Sequence, residues 1–222
     1  MILYEDNHIL VANKAAGMLT QPTPHDTSDS LEDNLKEYLK KKYKKPGNVF
    51  LHAVHRIDRQ VSGAVIFAKT SKALSRLNYS MREQKIIKIY HALVEGVMGK
   101  VGKKVNLEHY IAHGSMKAKV EKKPRKNLKE ASLSYTILRT SYDTSLIEII
   151  LETGRYHQIR AQLAYIGSPI LGDKKYGAKK KFVHNSVALH SRYVEFSHPI
   201  REETLKITAD YPPSWKSFVT AQ

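Results

Sequence analysis

Residues 55–63 concentrate side chains that could do chemistry. They read His-Arg-Ile-Asp-Arg-Gln-Val-Ser-Gly. Arg59 directly follows Asp58, and Arg56 precedes it with one isoleucine between them. Neighbouring guanidinium groups favour the ionised carboxylate and can orient it. Such a carboxylate can act as a nucleophile, as a base or as a stabiliser of positive charge. The structural alternative is a surface turn with a local ion pair, which is the commoner arrangement in proteins at large.

Residues 151–160, Leu-Glu-Thr-Gly-Arg-Tyr-His-Gln-Ile-Arg, form a second polar segment. The pattern predicts the end of a strand, a tight turn at Gly154 and a helix that starts near Arg155. A corner of this kind is a usual place to present a side chain to a cleft. Two structural alternatives stay open. Arg155 and Arg160 could cap or bridge neighbouring elements, or His157 and Arg160 could lie on a solvated helix face.

The residue types argue against several other kinds of site. Histidines occur in the pairs His52/His55 and His109/His113, but the chain has no cysteine and no His-Glu-x-x-His motif, so a zinc site is not expected. Ser62 lacks the Gly-x-Ser-x-Gly turn of a hydrolase, and no glycine-rich phosphate loop occurs. We therefore expect neither a metal ion nor an organic cofactor.

Short apolar runs predict the elements that position these segments. Segments whose residues alternate between apolar and polar, or are continuously apolar, predict strands at 2–4, 9–11, 64–68, 87–94, 133–137 and 146–151. Helical spacing predicts helices over 31–43, with Ser28 or Asp29 as the N-cap, over 73–81, and over 159–166. Strands and helices are interspersed without a regular alternation, which favours an α+β fold with a mixed or antiparallel sheet.

Length and composition describe an ordinary globular chain. With 222 residues and 41% hydrophobic residues it can bury a core as one large domain or two intimate ones. No apolar run approaches the roughly 18 residues of a membrane span, and the start, Met1 to Asp6, has no basic segment before an apolar stretch. The expected compartment is the cytoplasm, no membrane partner is expected, and a monomer is the default.

The charge is strongly positive and unevenly distributed. The net charge is +16, and residues 51–200 carry all of it. Residues 117–129, predicted as a loop, hold seven cations and one acid. A field of this kind attracts a polyanion and speeds its encounter with the protein, which favours nucleic-acid binding. The alternative is a protein whose lysine-rich loops are solvated and bind nothing specific.

Together, these segments resemble the RluA-type pseudouridine synthases, which isomerise uridine in RNA. Residues 55–63 are similar to that family's His-Arg-Leu-Asp-Arg-x-Thr-Ser-Gly motif, residues 90–96 to Tyr-x-Ala-Leu-Val-x-Gly, and residues 153–160 to Thr-Gly-Arg-x-His-Gln-Ile-Arg. Shorter similarities lie at 13–17, 172–177 and 196–199. Departures are Ala15 for a proline, Ile57 for a leucine and Val61 for a threonine, whose hydroxyl could brace the turn of Asp58.

The resemblance implies a fold and a domain organisation. The fold would be that of a pseudouridine synthase, an α+β fold whose mixed, mainly antiparallel sheet has flanking helices and a central RNA-binding cleft. Residues 1–222 would form a single catalytic domain without a separate N-terminal RNA-binding domain. The partner would be structured RNA, with ribosomal RNA slightly ahead of tRNA.

The resemblance also implies roles for individual residues. Asp58 would be the catalytic carboxylate, attacking C1′ of the ribose or C6 of the base, or removing a sugar proton. Tyr90 would stack on the target base and remove the C5 proton, and Arg155 would pair with Asp58. Arg56 would occupy the position vacated by the flipped nucleotide. Further RNA contacts are expected from His55, Arg59, Lys122, Lys123, Arg125 and Lys126. A non-catalytic RNA-binding protein that retains the fold is the alternative.

Overall fold

The computed structural model describes residues 2–24, 26, 29–114 and 116–219. Within them, the strands are β1 (Ile2–Glu5), β2 (Ile9–Lys14), β3 (His52–Ala53), β4 (Ser62–Ala68), β5 (Ile87–Glu95), β6 (Lys104–Ala112), β7 (Lys119–Glu121), β8 (Lys129–Thr140), β9 (Thr144–Leu151), β10 (Leu189–Ser197) and β11 (Thr204–Thr208). The helices are α1 (Leu31–Lys42), α2 (Ser71–Arg82), α3 (Gln158–Tyr165) and α4 (Lys216–Val219). None of the helices in this part of the chain is long and apolar enough to cross a membrane.

The chain divides into two compact units that interleave along the sequence. The first unit contains residues 2–87 and 191–212, and the second contains residues 88–190 and 213–219. The predicted polar segment 55–63 belongs to the first unit, whereas the segment 153–160 belongs to the second.

The first unit is built on strands in the order β1, β2, β4 and then residues 191–197 of β10, with β3 also beside β4 and β11 also beside β10. The pairs β1/β2, β2/β4, β3/β4 and β10/β11 are antiparallel. Helix α2 covers this layer, and its Ala73 and Leu77 belong to one buried cluster with Val11, Ile66 and Val194. The apolar runs of β2 and β4 therefore form the core of this unit, as their continuous hydrophobicity predicts.

Helix α1 begins after Ser30, whose side chain accepts one of the free amide groups of the first turn. The Ser30 hydroxyl accepts the amide N–H of Asp33 at 3.1 Å, and Leu31, Leu35 and Leu39 give the helix its buried side. The cap is therefore Ser30 rather than Asp29, and Ser28, the other predicted cap, lies outside the described residues. The helix itself is confirmed.

The second unit contains antiparallel strands in the order β5, β9, β8, β6 and β7. Strands β5, β8 and β9 confirm the predictions at 87–94, 133–137 and 146–151. Helix α3 lies against the β6–β8 end of this layer, since its Ala161 is buried with Ile111, Ala118 and Ala131. The predicted loop at 117–129 is wrong in part, because residues 119–121 form β7 and pair with Tyr110–Ala112 of β6.

Candidate active site

Asp58 lies in a tight turn between β3 and β4. The amide N–H of Val61 donates to the carbonyl of Asp58 at 3.0 Å, which closes a four-residue turn directly before the first residue of β4. The side chain of Val61 is buried, whereas Asp58 is half-buried. The turn is therefore anchored in the core through Val61, while Asp58, at its start, is partly exposed.

A segment just after β2 braces the residues on both sides of Asp58. The Thr20 hydroxyl donates to the carbonyl of Ile57 at 3.0 Å and accepts the amide N–H of Ile57 at 3.3 Å. On the other side, the amide of Gly17 donates to the carbonyl of Arg59 at 2.7 Å. Thr20 is itself buried. The backbone next to Asp58 is thus held by the Thr20 hydroxyl, whereas Val61 has no hydroxyl to contribute.

Lys14 ends β2 with its ammonium group buried beneath this turn. Lys14 is 1% exposed, and its Nζ donates to the carbonyls of Ala15, Met18 and Arg59 at 3.0, 2.7 and 3.2 Å. Three carbonyl acceptors match the three donors of an ammonium. Burial lowers the pKa of Lys14 to about 7, the charge of Asp58 opposes this shift, and the charge of Arg59 adds to it.

Sequence reasoning assigned no role to Lys14 or Thr20. Lys14 was part of a short similarity at 13–17, and Thr20 lies in a segment predicted only as a loop. The available signal was a lysine two residues after the apolar run 9–12, because its aliphatic stem would lie along the core and its charge would need acceptors there. Thr20 carried no comparable signal, since its contact with Ile57 joins residues 37 positions apart.

The other predicted RNA-binding residues of this turn differ in their surroundings. Arg56 is exposed. The guanidinium of Arg59 is also exposed, but its Nε donates to the carbonyl of Gly17 at 2.8 Å and its Nη1 contacts Asp26 at 2.7 Å. His55 is half-buried, and its Nε2 accepts the amide N–H of Ile66 at 3.3 Å. The fold thus holds Arg59 and His55 in place through the described residues and leaves Arg56 at the surface.

Gly63 permits a close approach between β4 and β10. Its φ is +118°, and a Cβ there would lie 2.3 Å from the carbonyl oxygen of Ser191. The Ser191 hydroxyl in turn donates to the carbonyl of Ala64 at 3.1 Å. A larger residue cannot be accommodated without moving the backbone of β10. The glycine that closes the 55–63 segment thus serves strand packing rather than chemistry.

In the second unit, Tyr90 lies on β5. It is 6% exposed and opposite Ile149 of β9 in the strand register. The sequence predicted alternating faces for this strand, but residues 90–94 are all buried, so that its second half is covered on both faces. A buried tyrosine presents its ring at a fixed orientation, because the neighbouring side chains leave it little freedom.

The corner between β9 and α3 is held by one buried glutamine. The Oε1 atom of Gln158 accepts the hydroxyl of Thr153 at 2.8 Å and the amide of Arg155 at 2.9 Å, and its Nε2 donates to the carbonyl of Ser132 at 3.0 Å. His157 precedes the helix at φ 52°, in the left-handed region. Arg155 is exposed at this corner, and its Nε donates to the carbonyl of Glu130 at 2.8 Å.

Arg160 is the buried guanidinium of this segment. It is 2% exposed and donates two hydrogen bonds to Asp173, from Nε to Oδ2 at 2.7 Å and from Nη2 to Oδ1 at 2.8 Å. A bidentate pair of this kind fixes both side chains. The alternative that Arg160 lies on a solvated helix face is therefore wrong, and the alternative that it bridges neighbouring elements is confirmed. The sequence alone left both open.

The predicted basic RNA-binding residues of the second unit lie between β7 and β8. Lys122, Lys123, Arg125 and Lys126 are all exposed. Lys122 lies close enough to His109 for its charge to add to burial in lowering the pKa of that imidazole. Across residues 2–24, 26, 29–114 and 116–219, no three histidine or acidic side chains come together as metal ligands would.

A comparison with protein families identifies the family of this chain. A sequence profile of the RNA pseudouridylate synthase family matches residues 8–165. The chain belongs to this family. The matched range includes the turn of Asp58, strand β5 with Tyr90 and the corner at Thr153–Arg160, and the resemblance to the RluA-type synthases is confirmed.

Curated relatives support the same assignment. Ribosomal large subunit pseudouridine synthase C of Buchnera aphidicola subsp. Baizongia pistaciae is 37% identical over 216 residues, which cover 94% of this chain and 66% of the relative. Ribosomal large subunit pseudouridine synthase D of Zymomonas mobilis is 33% identical over 221 residues, which cover 95% of this chain and 69% of the relative. The pseudouridine synthase chain described here thus spans about two thirds of the length of these relatives.

The fold is also that of solved pseudouridine synthases. The structure titled Human RNA Pseudouridylate Synthase Domain Containing 4 superposes with a TM-score of 0.78 at 22% identity, over 96% of this chain and 91% of that chain. At this level of identity, the structural similarity shows that the two chains share a fold. Together with the antiparallel strand pairs of both units, it confirms the predicted α+β class with a mainly antiparallel sheet. As a pseudouridine synthase family member, the chain belongs to a family of RNA-modifying isomerases.

Proposed function

We propose that this chain converts uridine to pseudouridine in structured RNA, in the cytoplasm and without a cofactor. The N1–C1′ bond of the nucleotide breaks, the base rotates, and a C5–C1′ bond forms in its place. The proton lost from C5 is balanced by the proton that N1 gains. The product is an isomer of the substrate, and the reaction consumes no other reagent.

In this proposal, Asp58 is the catalytic carboxylate. Breaking a glycosidic bond builds positive charge on the sugar, which an ionised carboxylate stabilises. Tyr90 stacks on the base and takes the C5 proton, and Arg155 pairs with Asp58 and keeps it ionised. Arg56 fills the space left by the nucleotide that has been flipped out of the RNA. Residues 1–222 act as one catalytic domain with an RNA-binding cleft.

The support for Asp58 comes from how its turn is built. Asp58, which is half-buried, lies at the start of a turn whose flanking backbone is held by Thr20, Gly17 and the buried ammonium of Lys14. Burying a lysine is costly unless its donors are satisfied, and here the buried lysine bonds to the backbone of the residue that follows Asp58. In the proposed reaction, a positioned carboxylate stabilises the charge that develops on the sugar.

The preference for ribosomal RNA over tRNA rests on the relatives. Two of them, at 37% and 33% identity, are named for the large ribosomal subunit. The net charge of +16 is consistent with either RNA, since phosphate attraction is independent of sequence. RNA specificity comes from loop shape and a few base-edge contacts, which charge does not supply.

Tritium release from RNA labelled at uridine C5 tests the proposal. The substrates are a large-subunit ribosomal RNA and a tRNA pool, each transcribed with 5-tritiated UTP. We expect release by the wild type, faster from the ribosomal RNA, and a loss of at least about a thousandfold in Asp58→Asn. Asp210→Asn, at an exposed carboxylate, is the matched control and should keep full activity.

Two outcomes would contradict the proposal. Release unaffected by Asp58→Asn would exclude the catalytic role of that carboxylate. RNA binding without any release by the wild type, on either RNA or on total RNA from cells lacking the protein, would favour the non-catalytic RNA-binding alternative.

A further inference from the structure

Lys88 is a half-buried lysine on β5 for which the proposed mechanism has no role. It lies two residues before Tyr90, and side chains at this spacing point to the same face of a strand. The Cα atoms of two such residues are about 6.6 Å apart. Lys88 therefore lies on the face of β5 that carries the tyrosine proposed to stack on the target base.

The ammonium group of Lys88 borders an opening at the corner between β9 and α3. A Cβ placed on Gly154 would lie 3.8 Å from Nζ of Lys88, and no other heavy atom of the described residues beyond its chain neighbours would lie within 4 Å of it. Gly154 directly precedes Arg155, the residue proposed to pair with Asp58. The side chain of Lys88 thus extends from the strand face of Tyr90 to the corner that carries Arg155.

No group in the described part of the chain neutralises this ammonium. Burial alone lowers the pKa of Lys88, and neither a hydrogen bond nor a neighbouring charge opposes the shift. The acid of this corner, Glu152, accepts the hydroxyl of Ser132 instead. Lys14 differs, because its three donors meet three carbonyls. A desolvated ammonium without acceptors is costly to a folded protein, and such groups are typical of sites where a ligand supplies the acceptors.

We propose that Lys88 is a catalytic residue that donates a hydrogen bond to a carbonyl oxygen, O2 or O4, of the target uracil. When the N1–C1′ bond breaks, its electron pair stays with N1, and the negative charge of the detached base spreads over N1, O2 and O4. The positive charge remains on the sugar, where the carboxylate of Asp58 stabilises it.

The ammonium of Lys88 stabilises the opposite charge, that of the detached base. A cation held away from water acts on such a charge more strongly than a solvated one. As C5 bonds to C1′, the base loses its C5 proton and N1 gains one, so that the product is neutral and the contact is strongest in the transition state. The inference deepens the proposed function and rests on it.

The depth of Lys88 favours a contact with the base over one with a phosphate. A flipped nucleotide puts its base into the pocket of the enzyme. Tyr90, on the same strand face, is 6% exposed, and Lys88 is half-buried. The cations proposed to contact phosphates, such as Lys122 and Arg125, are exposed instead. Lys88 thus differs in its surroundings from the residues that attract the RNA backbone.

Lys88→Met tests this contact, because methionine is also long and unbranched but carries no charge. With enzyme in excess over tritiated ribosomal RNA, we expect the rate constant of release at saturation to fall about a hundredfold. RNA affinity and its salt dependence, measured by filter binding, should match those of the wild type, because no phosphate contact is lost. Lys104→Met, at the exposed first residue of β6, is the matched control and should keep the wild-type rate.

Stability separates the catalytic role of Lys88 from a structural one. Because no described residue accepts a hydrogen bond from its ammonium, Lys88→Met removes a desolvated charge and leaves no partner unpaired. We therefore expect the midpoint of urea unfolding to rise in the same variant whose release is slower. A variant that is slower and also less stable than the wild type would show that Lys88 only supports the fold.

Two further results would overturn the contact with the base. The first is a wild-type rate of release in Lys88→Met. The second is weaker RNA binding with a flatter salt dependence, which would assign Lys88 to a phosphate. In both cases release by the wild type persists and the proposed function stands. Absence of release by the wild type would instead contradict the proposed function itself.

Discussion

At the scale of single residues, a buried lysine supports the proposed catalytic carboxylate. Lys14 donates to three carbonyls, and one of them belongs to Arg59, the residue after Asp58. The bond joins residues 45 positions apart and ties the end of β2 to the turn before β4. Lys14 is therefore a positioning residue for this turn, and its removal should affect both stability and turnover.

We expect Lys14→Met to lower the free energy of unfolding by about 1–3 kcal/mol, because three carbonyls lose a buried donor. Turnover should fall as well, since the turn that carries Asp58 is loosened. Chemical denaturation and tritium release measure the two effects. Lys41→Met removes a lysine whose side chain is 75% exposed and should cost less than about 0.5 kcal/mol. If Lys14→Met were as stable as the wild type, the proposed positioning role of Lys14 would be wrong.

The cost of Lys14→Met should also depend on pH. With a pKa of about 7 in the folded protein and 10.5 in the unfolded chain, the unfolded chain binds more protons between these values. The contribution of Lys14 to stability therefore rises with pH above about 7 and is constant below it. We expect the variant to lose about 2 kcal/mol more relative to the wild type at pH 9 than at pH 7. A constant difference would show that the three carbonyls keep the ammonium charged.

At the scale of elements, the corner before α3 assigns different tasks to its two arginines. Arg155 is exposed and attached through the carbonyl of Glu130, whereas Arg160 is buried against Asp173. The sequence places both in one motif and leaves both available for chemistry or structure. Substitution separates the two tasks, because loss of a buried charge partner destabilises the fold whereas loss of an exposed one does not.

We expect Arg155→Gln to lower tritium release at least about tenfold while the free energy of unfolding changes by less than about 0.5 kcal/mol. Arg160→Gln should lower the free energy of unfolding by about 3–5 kcal/mol, because Asp173 is left buried and unpaired. Urea denaturation of both variants provides the comparison. Full activity in Arg155→Gln would exclude its proposed pairing with Asp58.

The loop between β7 and β8 is the element proposed to hold phosphates. We expect replacement of its four exposed cations by glutamine, at Lys122, Lys123, Arg125 and Lys126, to weaken RNA binding. The slope of log affinity against log salt should flatten by about 0.7–0.9 for each phosphate that the loop no longer neutralises. Filter binding at several salt concentrations measures this slope.

A matched control removes the same charge elsewhere. Lysines at the end of α1 and just after it, Lys40, Lys41, Lys44 and Lys45, are also exposed, and cations there are favoured by the helix dipole. Their replacement by glutamine should leave the slope nearly unchanged. Equal slopes for both variants would mean that only net charge matters and that the β7–β8 loop is a solvated surface.

At the scale of the whole molecule, acidic residues of the N-terminal strand connect distant parts of the first unit. Burial opposes ionisation of Glu5, but hydrogen bonds from Lys42, Tyr43 and Lys69 outweigh it and lower its pKa to about 2. Burial likewise opposes ionisation of Asp6, but the amides of His8 and Ile9, with His198 and Tyr4, lower its pKa to about 2. Glu5, at the end of β1, thus contacts the end of α1 and the residue just after β4, and Asp6, just after β1, contacts the residue just after β10.

These two carboxylates predict acid lability. Because their pKa values are lower in the folded protein than in the unfolded chain, their stabilisation is complete above about pH 4.5 and is lost as the pH falls towards 2. We expect Glu5→Gln to remove about 1–2 kcal/mol at pH 7 and little at pH 2, measured by urea denaturation followed by circular dichroism. Glu37→Gln, at a glutamate on the exposed side of α1, is the control. A pH-independent loss of stability in Glu5→Gln would contradict this prediction.

The sequence alone determined the family and those local elements whose hydrophobic pattern is regular. Continuous apolar runs predicted β2 and β4, helical spacing predicted α1 and α2, and three ordered motifs indicated a pseudouridine synthase. These features depend on neighbours within about ten residues, which the sequence presents directly. Strands β3, β6, β7, β10 and β11 were not predicted, because they are short or their hydrophobic patterns are mixed.

Only the tertiary structure decided which polar residues support the site. Thr20 meets Ile57, Lys14 meets Arg59, Gln158 meets Ser132 and Arg160 meets Asp173, each across 13 to 45 positions. In the sequence, the threonine, glutamine and arginine at these positions would suit a solvated surface equally well. What distinguishes them is burial, since a buried polar group must find a partner and the fold alone determines which partner lies within reach.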